Sequence, residues 1–497
     1  MSAGDWYRWW GGAIGAVGGR VTALRIPHPA RLLEVERERV AKREAMFAVM
    51  WTVLLSGPFF ASAMGGAVPV LAQVAQLSDR WFALALAMPS LAMLVQLPGA
   101  LVVSRVKNRP KTVFVVGMMA RLVWVPAAAV PLMLDPGPVA TGVLMGFLVV
   151  AWLCFFMGAL AWQSYMGDLV PARKRGKYFG LRLRLFSATN LVSSLALAMV
   201  LPVAGSPWAK WVIFAIFCVA AVAGAAELFA YRKAYDPPRR KPAMRWRDLL
   251  TPVLDRGFWP FLVLVFIVSA SNGIVGPFLW RHFLQAQQMP PFKATLILQT
   301  SALLGMLLTA PVWGAWVDRF GSKATLVFAM LISQIPTMLW PVVSLELWWL
   351  GVGVMFAGVA AWTGVEVSLT NRLFRHGHEG GAGYFAVYSA TFALAGFGST
   401  VLGGEIAERW AGAAWISSVA DWGRPWGLSF NVYLLLSFVC LALRFLAVVW
   451  LMRFIPRDKP TPTAVAVRTM ADQMQAGAVG AMAWPWRKLR RDSPRRH

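Results

Sequence analysis

The amino-acid sequence predicts an all-α membrane protein with twelve transmembrane helices in two related six-helix halves. Three observations lead to this prediction: the composition, a series of long apolar segments, and a loop motif that occurs twice. Of the 497 residues, 58% are hydrophobic and only 14% are charged, whereas a soluble domain carries about 25% charged residues. A chain with so little charge must place much of its surface against lipid or inside a helix bundle.

Twelve segments are apolar over the roughly 20 residues that a helix needs to cross a bilayer. Several contain Pro or Gly, which spanning helices tolerate. An even number of spans places both termini on the same side of the membrane. The predicted spans are Ala45–Val74, Trp81–Val103, Thr112–Leu134, Val139–Trp162, Leu183–Val203, Trp208–Tyr231, Phe258–Leu279, Ala294–Val317, Ala324–Val343, Leu347–Leu369, Tyr384–Ala407 and Leu428–Met452.

The positive charges alternate between the loops. Lys and Arg concentrate before the first span, in every second loop and after the last span, and Arg281 and Lys293 are exceptions to this pattern. Basic loops stay on the cytoplasmic side, so we expect both termini to be cytoplasmic in a bacterial-type inner membrane. The net charge of +26 then reflects orientation. It does not indicate nucleic-acid binding, because no basic patch with a reading motif is present.

The longest internal connection divides the chain into two sets of six spans. It contains the run Pro237-Pro238-Arg239-Arg240-Lys241-Pro242, which is typical of a solvated linker on an anionic membrane surface. The predicted division comprises an amino-terminal segment (residues 1–44), a first half (45–231), a linker (232–257), a second half (258–455) and a basic tail (456–497).

One loop motif occurs in both halves. The segment Gly314–Lys323 reads GAWVDRFGSK, and its counterpart 214 residues earlier, Ala100–Arg109, reads ALVVSRVKNR. Each lies between two apolar segments, as in transporters built from two related halves. The two segments resemble the cytoplasmic loop signature of the major facilitator superfamily. The segment Asp168–Gly180 resembles the loop after the fourth helix of many bacterial members, and Gly381–Ala386 is a weaker match at the start of helix eleven.

This resemblance implies gating roles for the loop residues. Asp318 would lie beside a helix end, Arg319 and Lys323 would form interhelical charge pairs that hold the halves together, and Gly314 would allow close helix packing. In the first half Ser104 replaces the Asp, which weakens that gate. The remaining gating candidates there are Arg105 and Arg109. The alternative is that these charges only set the topology.

The resemblance also implies a substrate site between the halves, lined by helices one, four, seven and ten. Ionisable residues inside the membrane are costly and indicate function. Arg121 is a candidate for either an internal ion pair or substrate coupling. Glu366 is the candidate for proton coupling, because a buried carboxylate can titrate near neutral pH. The other candidates are polar or aromatic: Trp162, Gln163, Ser269, Asn272, Gln334 and Trp362.

Two further charged residues, Glu227 and Arg444, lie near predicted inner helix ends. At such a position a charged group can reach the aqueous interface, as a snorkelling Arg does. We therefore expect these two side chains to extend to water rather than to form an internal site.

These patterns predict a secondary transporter that moves a small molecule by alternating access, with a proton as the candidate coupling ion. The alternatives are a transporter-like sensor or scaffold and a multidrug or lipid exporter. A membrane enzyme is disfavoured, because no His, Asp or Glu cluster occurs at one membrane face. The expected partners are the substrate, lipids and the proton, and the expected state is a monomer. No cofactor is expected, since there is no nucleotide-binding loop and Cys154, Cys218 and Cys440 are far apart.

Overall fold

The computed structural model describes residues 29–171, 175–201, 206–239, 245–380, 382–410, 412–426 and 428–475. Eleven helices in these ranges are long and apolar enough to span a membrane, and a bent pair brings the number to twelve. The predicted twelve-span architecture is therefore confirmed. The Trp-rich amino-terminal segment and the basic run after residue 475 lie outside the described residues.

The spans are numbered α1 to α12. In α1, Glu36–Leu55 and Gly57–Ala63 form the bent pair, at an angle of 51°. The others are α2 (Asp79–Val103), α3 (Arg109–Met133), α4 (Pro138–Leu169), α5 (Leu181–Val200), α6 (Ala209–Tyr231), α7 (Trp259–Ala286), α8 (Pro291–Phe320), α9 (Ser322–Val342), α10 (Trp348–Leu373), α11 (Gly383–Trp410) and α12 (Val432–Phe454).

Several predicted spans differ from the structure in their bounds; the seventh, for example, extends to Ala286 rather than Leu279. The first and fourth show two causes. The first, Ala45–Val74, is interrupted twice: at Ser56, just before Pro58, and at Gly65-Gly66, after which a helix continues over Ala67–Val74. Proline lacks the backbone N–H that an unbroken helix requires. The fourth extends to Leu169 rather than Trp162, because the polar residues beyond Trp162 form helical turns that hydropathy does not detect.

The bundle has two ends, which we call the basic face and the far face. The basic face carries the turns 104–108, 232–239 and 455–462, and the far face carries the turns 75–78, 134–137, 287–290 and 343–347. Short helices outside the spans cover both ends: Trp246–Leu254 and residues 463–475 at the basic face, and Ala414–Gly423 at the far face.

The two copies of the loop motif turn by different means. Between α8 and α9, Gly321 has φ +87, which only glycine adopts without strain. Between α2 and α3, the Asn108 side chain accepts a hydrogen bond of 2.9 Å from the backbone N–H of Lys111 and so caps α3. The two sequences differ at this turn because a glycine turn and an asparagine cap are alternative ways of starting the next helix.

The apolar core shows how the halves are joined. One continuous buried cluster contains residues of both halves near the far face, from Phe59 and Phe82 to Phe278 and Cys440. Near the basic face the core is divided into two. One cluster, around Tyr165 and Tyr231, belongs to the first half, and the other, around Phe258, Phe328 and Leu451, belongs to the second. The halves therefore share a core at the far face and have separate cores at the basic face.

Two helices of the second half, α7 and α8, contain irregular turns. Residues His282–Ala286 in α7 and Leu296–Thr300 in α8 form π-helical turns. Such turns commonly mark functional positions. Both lie near the far face, where the halves meet.

Candidate functional site

A buried ion pair joins the halves at the far face. Arg281, at the end of α7, is 2% exposed, and its Nε lies 2.7 Å from Oδ1 of Asp79 in α2. Its Nη2 also donates to the carbonyl of Leu77 at 2.7 Å. The Tyr433 hydroxyl donates to the same aspartate at 3.1 Å. This contact links α2 of the first half to α7 and α12 of the second.

A second contact between the halves is made by Gln299, which lies in the π-helical turn of α8. Its Oε1 accepts from the backbone N–H of Gly66 at 2.9 Å. Its Nε2 donates to the carbonyl of Ala61 at 3.2 Å and to the hydroxyl of Ser194 at 2.7 Å. A Cβ at Gly65 would lie 2.2 Å from this amide. The second break in α1 and the absence of a side chain at Gly65 therefore make room for Gln299.

Inside the first half, three charged side chains form a buried cluster. Glu227 of α6 lies 3.4 Å from the Arg121 guanidinium of α3 and 3.7 Å from that of Arg182 in α5. Arg121 and Glu227 are 7% and 5% exposed. The Arg182 guanidinium lies over the Trp162 ring, 5.1 Å from its centre, and the Trp162 indole donates to the Tyr231 hydroxyl at 2.9 Å. We call Arg121, Arg182 and Glu227 the charged triad.

The charged triad borders a cavity of about 410 Å³ between α1, α3, α4, α5 and α6. All of its lining residues belong to the first half, so it differs from the site between the halves that the resemblance implied. Three aromatic rings, those of Phe60, Phe155 and Phe186, also line it, and the Phe155 ring centre lies 5.9 Å from the Arg121 guanidinium. The Phe60 ring lies 5.8 Å from Phe155 and 4.9 Å from Phe186, edge to face in both cases. The cavity lining thus combines aromatic rings with charged groups.

Inside the second half, a different cluster surrounds Arg444 of α12. This guanidinium donates to the Thr337 hydroxyl of α9 at 2.9 Å and to Oδ1 of Asn272 in α7 at 3.3 Å. It also lies 4.9 Å from the centre of the Trp362 ring in α10. The Trp362 indole donates to the Glu366 carboxylate at 3.2 Å. This Arg444 cluster therefore connects α7, α9, α10 and α12.

At the basic face, a carboxylate from the segment after each half's last span binds the start of that half's third span. Asp236 Oδ2 accepts from the backbone N–H of Arg109 at 2.9 Å, and Asp458 Oδ2 accepts from that of Lys323 at 2.9 Å. A negative charge at the start of a helix stabilises it.

A basic side chain completes each of these contacts. The Arg109 guanidinium bridges Asp236 and Asp168 of α4. Arg372 of α10 binds Asp458 at 2.8 Å. The Lys323 ammonium donates to the carbonyls of Met452 and Ile455 at 3.1 and 2.6 Å.

A buried tyrosine lies near the same face. The Tyr178 hydroxyl donates to the carbonyl of Met46 at 2.9 Å. Burial raises the pKa of this phenol above its usual value of 10.0. Tyr178 therefore keeps its proton at physiological pH and remains a donor that holds the start of α5 against α1.

Several known structures have a similar overall fold. A mutant form of the nucleoside transporter NupG matches with a TM-score of 0.62 at 9% identity, over 83% of this chain and 100% of that one. A D-xylose–proton symporter matches with a TM-score of 0.61 at 15% identity, over 84% and 99%. A bacterial homologue of the iron transporter ferroportin, in an inward-facing state, matches with a TM-score of 0.61 at 14% identity, over 83% and 99%. The chain has the fold of the major facilitator superfamily. Neither a protein-family model nor a curated protein sequence matches it.

The major facilitator fold places the predicted gating residues in two environments. Arg109 and Lys323 are buried, at 1% and 7% exposure, and bind the carboxylates and carbonyls described above. Arg105, Asp318 and Arg319 are exposed, and Arg319 lies over the ring of its neighbour Phe320. The close helix packing expected at Gly314 is absent, since a Cβ there would meet no atom within 4 Å.

The interpretation of Glu227 and Arg444 as side chains that reach the aqueous interface is wrong. Both are buried, at 5% and 7% exposure, and each binds groups on other helices inside its own half. Proximity to a helix end was the only available signal. It was misleading because neighbouring helices extend beyond these positions and cover them. Arg121 forms an internal ion pair with Glu227, and its role in substrate binding or coupling stays a prediction.

The polar and aromatic substrate candidates do not lie in one place in the structure. Asn272, Trp362 and Glu366 come together in the Arg444 cluster, and Trp162 belongs to the surroundings of the charged triad. The expectation that Glu366 is buried is wrong, because its side chain is exposed on the surface of α10. Ser269 donates to the carbonyl of Phe392 at 2.6 Å and so holds α7 to α11. The remaining two, Gln163 and Gln334, are exposed and partly buried, respectively.

Several residues of these contacts were not among the sequence candidates for substrate or gating roles: Asp79, Asp168, Arg182, Asp236, Arg281, Gln299, Arg372, Tyr433 and Asp458. In the sequence, Arg182 falls just before the fifth predicted span, where a positive charge indicates only a loop. Within the described residues, no group of three or more His, Cys, Asp or Glu side chains could hold a metal ion.

Proposed function

We propose that the protein is a secondary transporter that moves a small molecule across the bacterial inner membrane by alternating access. The observation that supports this most directly is the asymmetry of the core. The halves share a core and an ion pair at the far face but have separate cores at the basic face. Alternating access requires an arrangement of this kind, in which the halves pack together at one end of the bundle and can separate at the other.

The concentration of Lys and Arg in its loops supports a cytoplasmic position for the basic face. In this orientation the far face is extracytoplasmic, both termini are cytoplasmic, and the conformation is inward-facing. The working unit is a single chain in lipid, with residues 45–231 and 258–455 as the moving halves and residues 232–257 as their linker. Residues 1–44 and 456–497 lie on the cytoplasmic side.

Loop residues at the basic face form the proposed gate. Arg105, Asp318 and Arg319 are exposed in this conformation and are available to form contacts between the halves when the basic face closes. Arg109 and Lys323 hold the helix ends in place within each half. A flux assay of Asp318→Asn tests this role: lost flux with normal expression supports gating, and a change in expression alone supports a topological role.

Glu366 is the proposed site of proton coupling. Its carboxylate binds the Trp362 indole and belongs to a cluster that links four helices of the second half. A change in its protonation would alter its hydrogen bond to Trp362, whose ring lies beside Arg444.

The test of transport has two steps. A thermal-shift screen in detergent identifies ligands, because a ligand that binds the folded state raises its apparent stability. The exchange of each ligand across the bilayer is then measured by counterflow in proteoliposomes. Exchange of the ligand across the bilayer supports the proposal. A ligand that stabilises the protein and never crosses would overturn it in favour of a sensor.

A further inference from the structure

The charged triad carries an excess positive charge in a buried place. Two guanidinium groups, Arg121 and Arg182, face one carboxylate, Glu227, at 3.4 and 3.7 Å. Charge-assisted N–H···O bonds are normally about 2.7–2.9 Å. The single carboxylate therefore satisfies neither guanidinium fully. Arg182 also donates to the Val49 carbonyl, and Arg121 lies 4.5 Å from the centre of the Phe59 ring. These partners carry no net charge and leave the excess positive charge in place, and burial of an uncompensated charge is costly.

One donor of the triad has no partner. Arg121 is 7% exposed, and its buried Nε makes no hydrogen bond in the described structure. Buried polar groups are normally hydrogen-bonded. This donor belongs to a side chain that lines the cavity of about 410 Å³, so a ligand in the cavity could supply the missing acceptor.

Aromatic rings also line the cavity. They belong to Phe60, Phe155 and Phe186, and Phe60 contacts both of the others edge to face. The volume falls within the range of about 300–1,000 Å³ that is usual for small-molecule sites. Aromatic rings pack favourably on such surfaces in offset or edge-to-face geometry.

We propose that this cavity is the binding site for an organic anion with a flat apolar body, of which an aromatic carboxylate is the simplest example. The anion's oxygens accept hydrogen bonds from Arg121 and Arg182, and its ring lies among Phe60, Phe155 and Phe186. This inference rests on the proposed transport function and names the substrate class. An organic cation is excluded by the net positive charge of the triad, and a neutral ring would leave that charge uncompensated.

The test compares three probes of similar shape: 2-naphthoate, the neutral 2-naphthamide and the cationic 2-naphthylmethylammonium. Equilibrium binding is measured on the full chain in detergent. We expect 2-naphthoate to bind at least about tenfold more tightly than the amide, since a hydrogen bond to a charged group contributes more than a neutral one. Equal binding of acid and amide, tighter binding of the ammonium, or no binding of any probe would each overturn the proposal.

Variants locate the site. Arg121→Gln leaves Glu227 with one partner and can unfold the protein, so the main variant is Arg182→Gln, whose side chain is 12% exposed. We expect it to weaken 2-naphthoate binding roughly 10- to 100-fold and to leave 2-naphthamide binding unchanged. The matched control is Lys210→Gln, which removes an exposed positive charge at the far face and leaves both affinities unchanged. Equal loss of both probes in Arg182→Gln contradicts an anion site.

Counterflow in proteoliposomes separates this inference from the proposed function. Tight, Arg182-dependent binding of 2-naphthoate without any flux would contradict transport and keep the anion site. Flux of a ligand without an acidic group, together with absent 2-naphthoate binding, would contradict the anion site and keep transport.

Discussion

Arg281 and Asp79 form an ion pair across the boundary between the two halves, with Nε and Oδ1 2.7 Å apart. Their side chains are 3% and 16% exposed. Opening of the far face must separate these residues and expose both to water. The pair therefore contributes to the free energy difference between the closed and open forms of this face.

We predict that Asp79→Asn shifts the protein toward an open far face. Removal of one partner from a buried pair leaves the other charge uncompensated, at a cost of about 3–5 kcal/mol, and this cost falls on the closed form. Spin labels at Lys210→Cys and Glu346→Cys, one exposed residue on the far-face end of each half, would report a longer distance by pulsed electron paramagnetic resonance.

The neighbouring residue provides the control. Arg80 also reaches across the boundary, to Glu405 at 3.8 Å, but its side chain is 65% exposed. Exposed ion pairs contribute about 0.2–1 kcal/mol. Arg80→Gln should therefore leave the distance distribution unchanged, and an equal shift in both variants would mean that surface charge, rather than the buried pair, sets the equilibrium.

Gly65→Ala should also destabilise the closed far face. The new Cβ would lie 2.2 Å from the side-chain amide of Gln299, which binds Ala61, Gly66 and Ser194 in this conformation. The same pair of labels measures the shift. Gly146→Ala is the matched control, because a Cβ there meets no atom within 4 Å. An unchanged distance in Gly65→Ala would show that Gln299 does not hold the halves together.

The spans could be predicted from the sequence because each rests on a local property, a run of apolar residues long enough to cross a bilayer. The charged clusters could not. Arg121 and Glu227 are 106 positions apart, and nothing near either residue indicates the other. Asp236 and Asp458 follow the last helix of each half, where an acidic residue normally indicates only a solvated loop.

The contacts of Asp458 lead to a prediction on stability. Asp458→Asn removes the negative charge that binds Arg372 and the start of α9. A buried donor left without its partner costs about 1–3 kcal/mol, so the apparent melting temperature in detergent should fall. Asp236→Asn should lower it as well, because Arg109 is 1% exposed. Asp135→Asn, at an exposed far-face position, is the control, and a similar drop there would refute a specific role for the two aspartates.

The role of Glu366 leads to a prediction on coupling. If its carboxylate carries the coupling proton, Glu366→Gln removes the titratable group and keeps an acceptor for the Trp362 indole, which lies 3.2 Å away. Substrate accumulation driven by a pH gradient should then be lost, while counterflow, which needs no net proton movement, should persist and become independent of pH. Glu408→Gln removes an exposed carboxylate and should leave both assays unchanged. If Glu366→Gln transports with unchanged pH dependence, the coupling group lies elsewhere, and the Glu366 carboxylate serves only to orient Trp362 beneath Arg444.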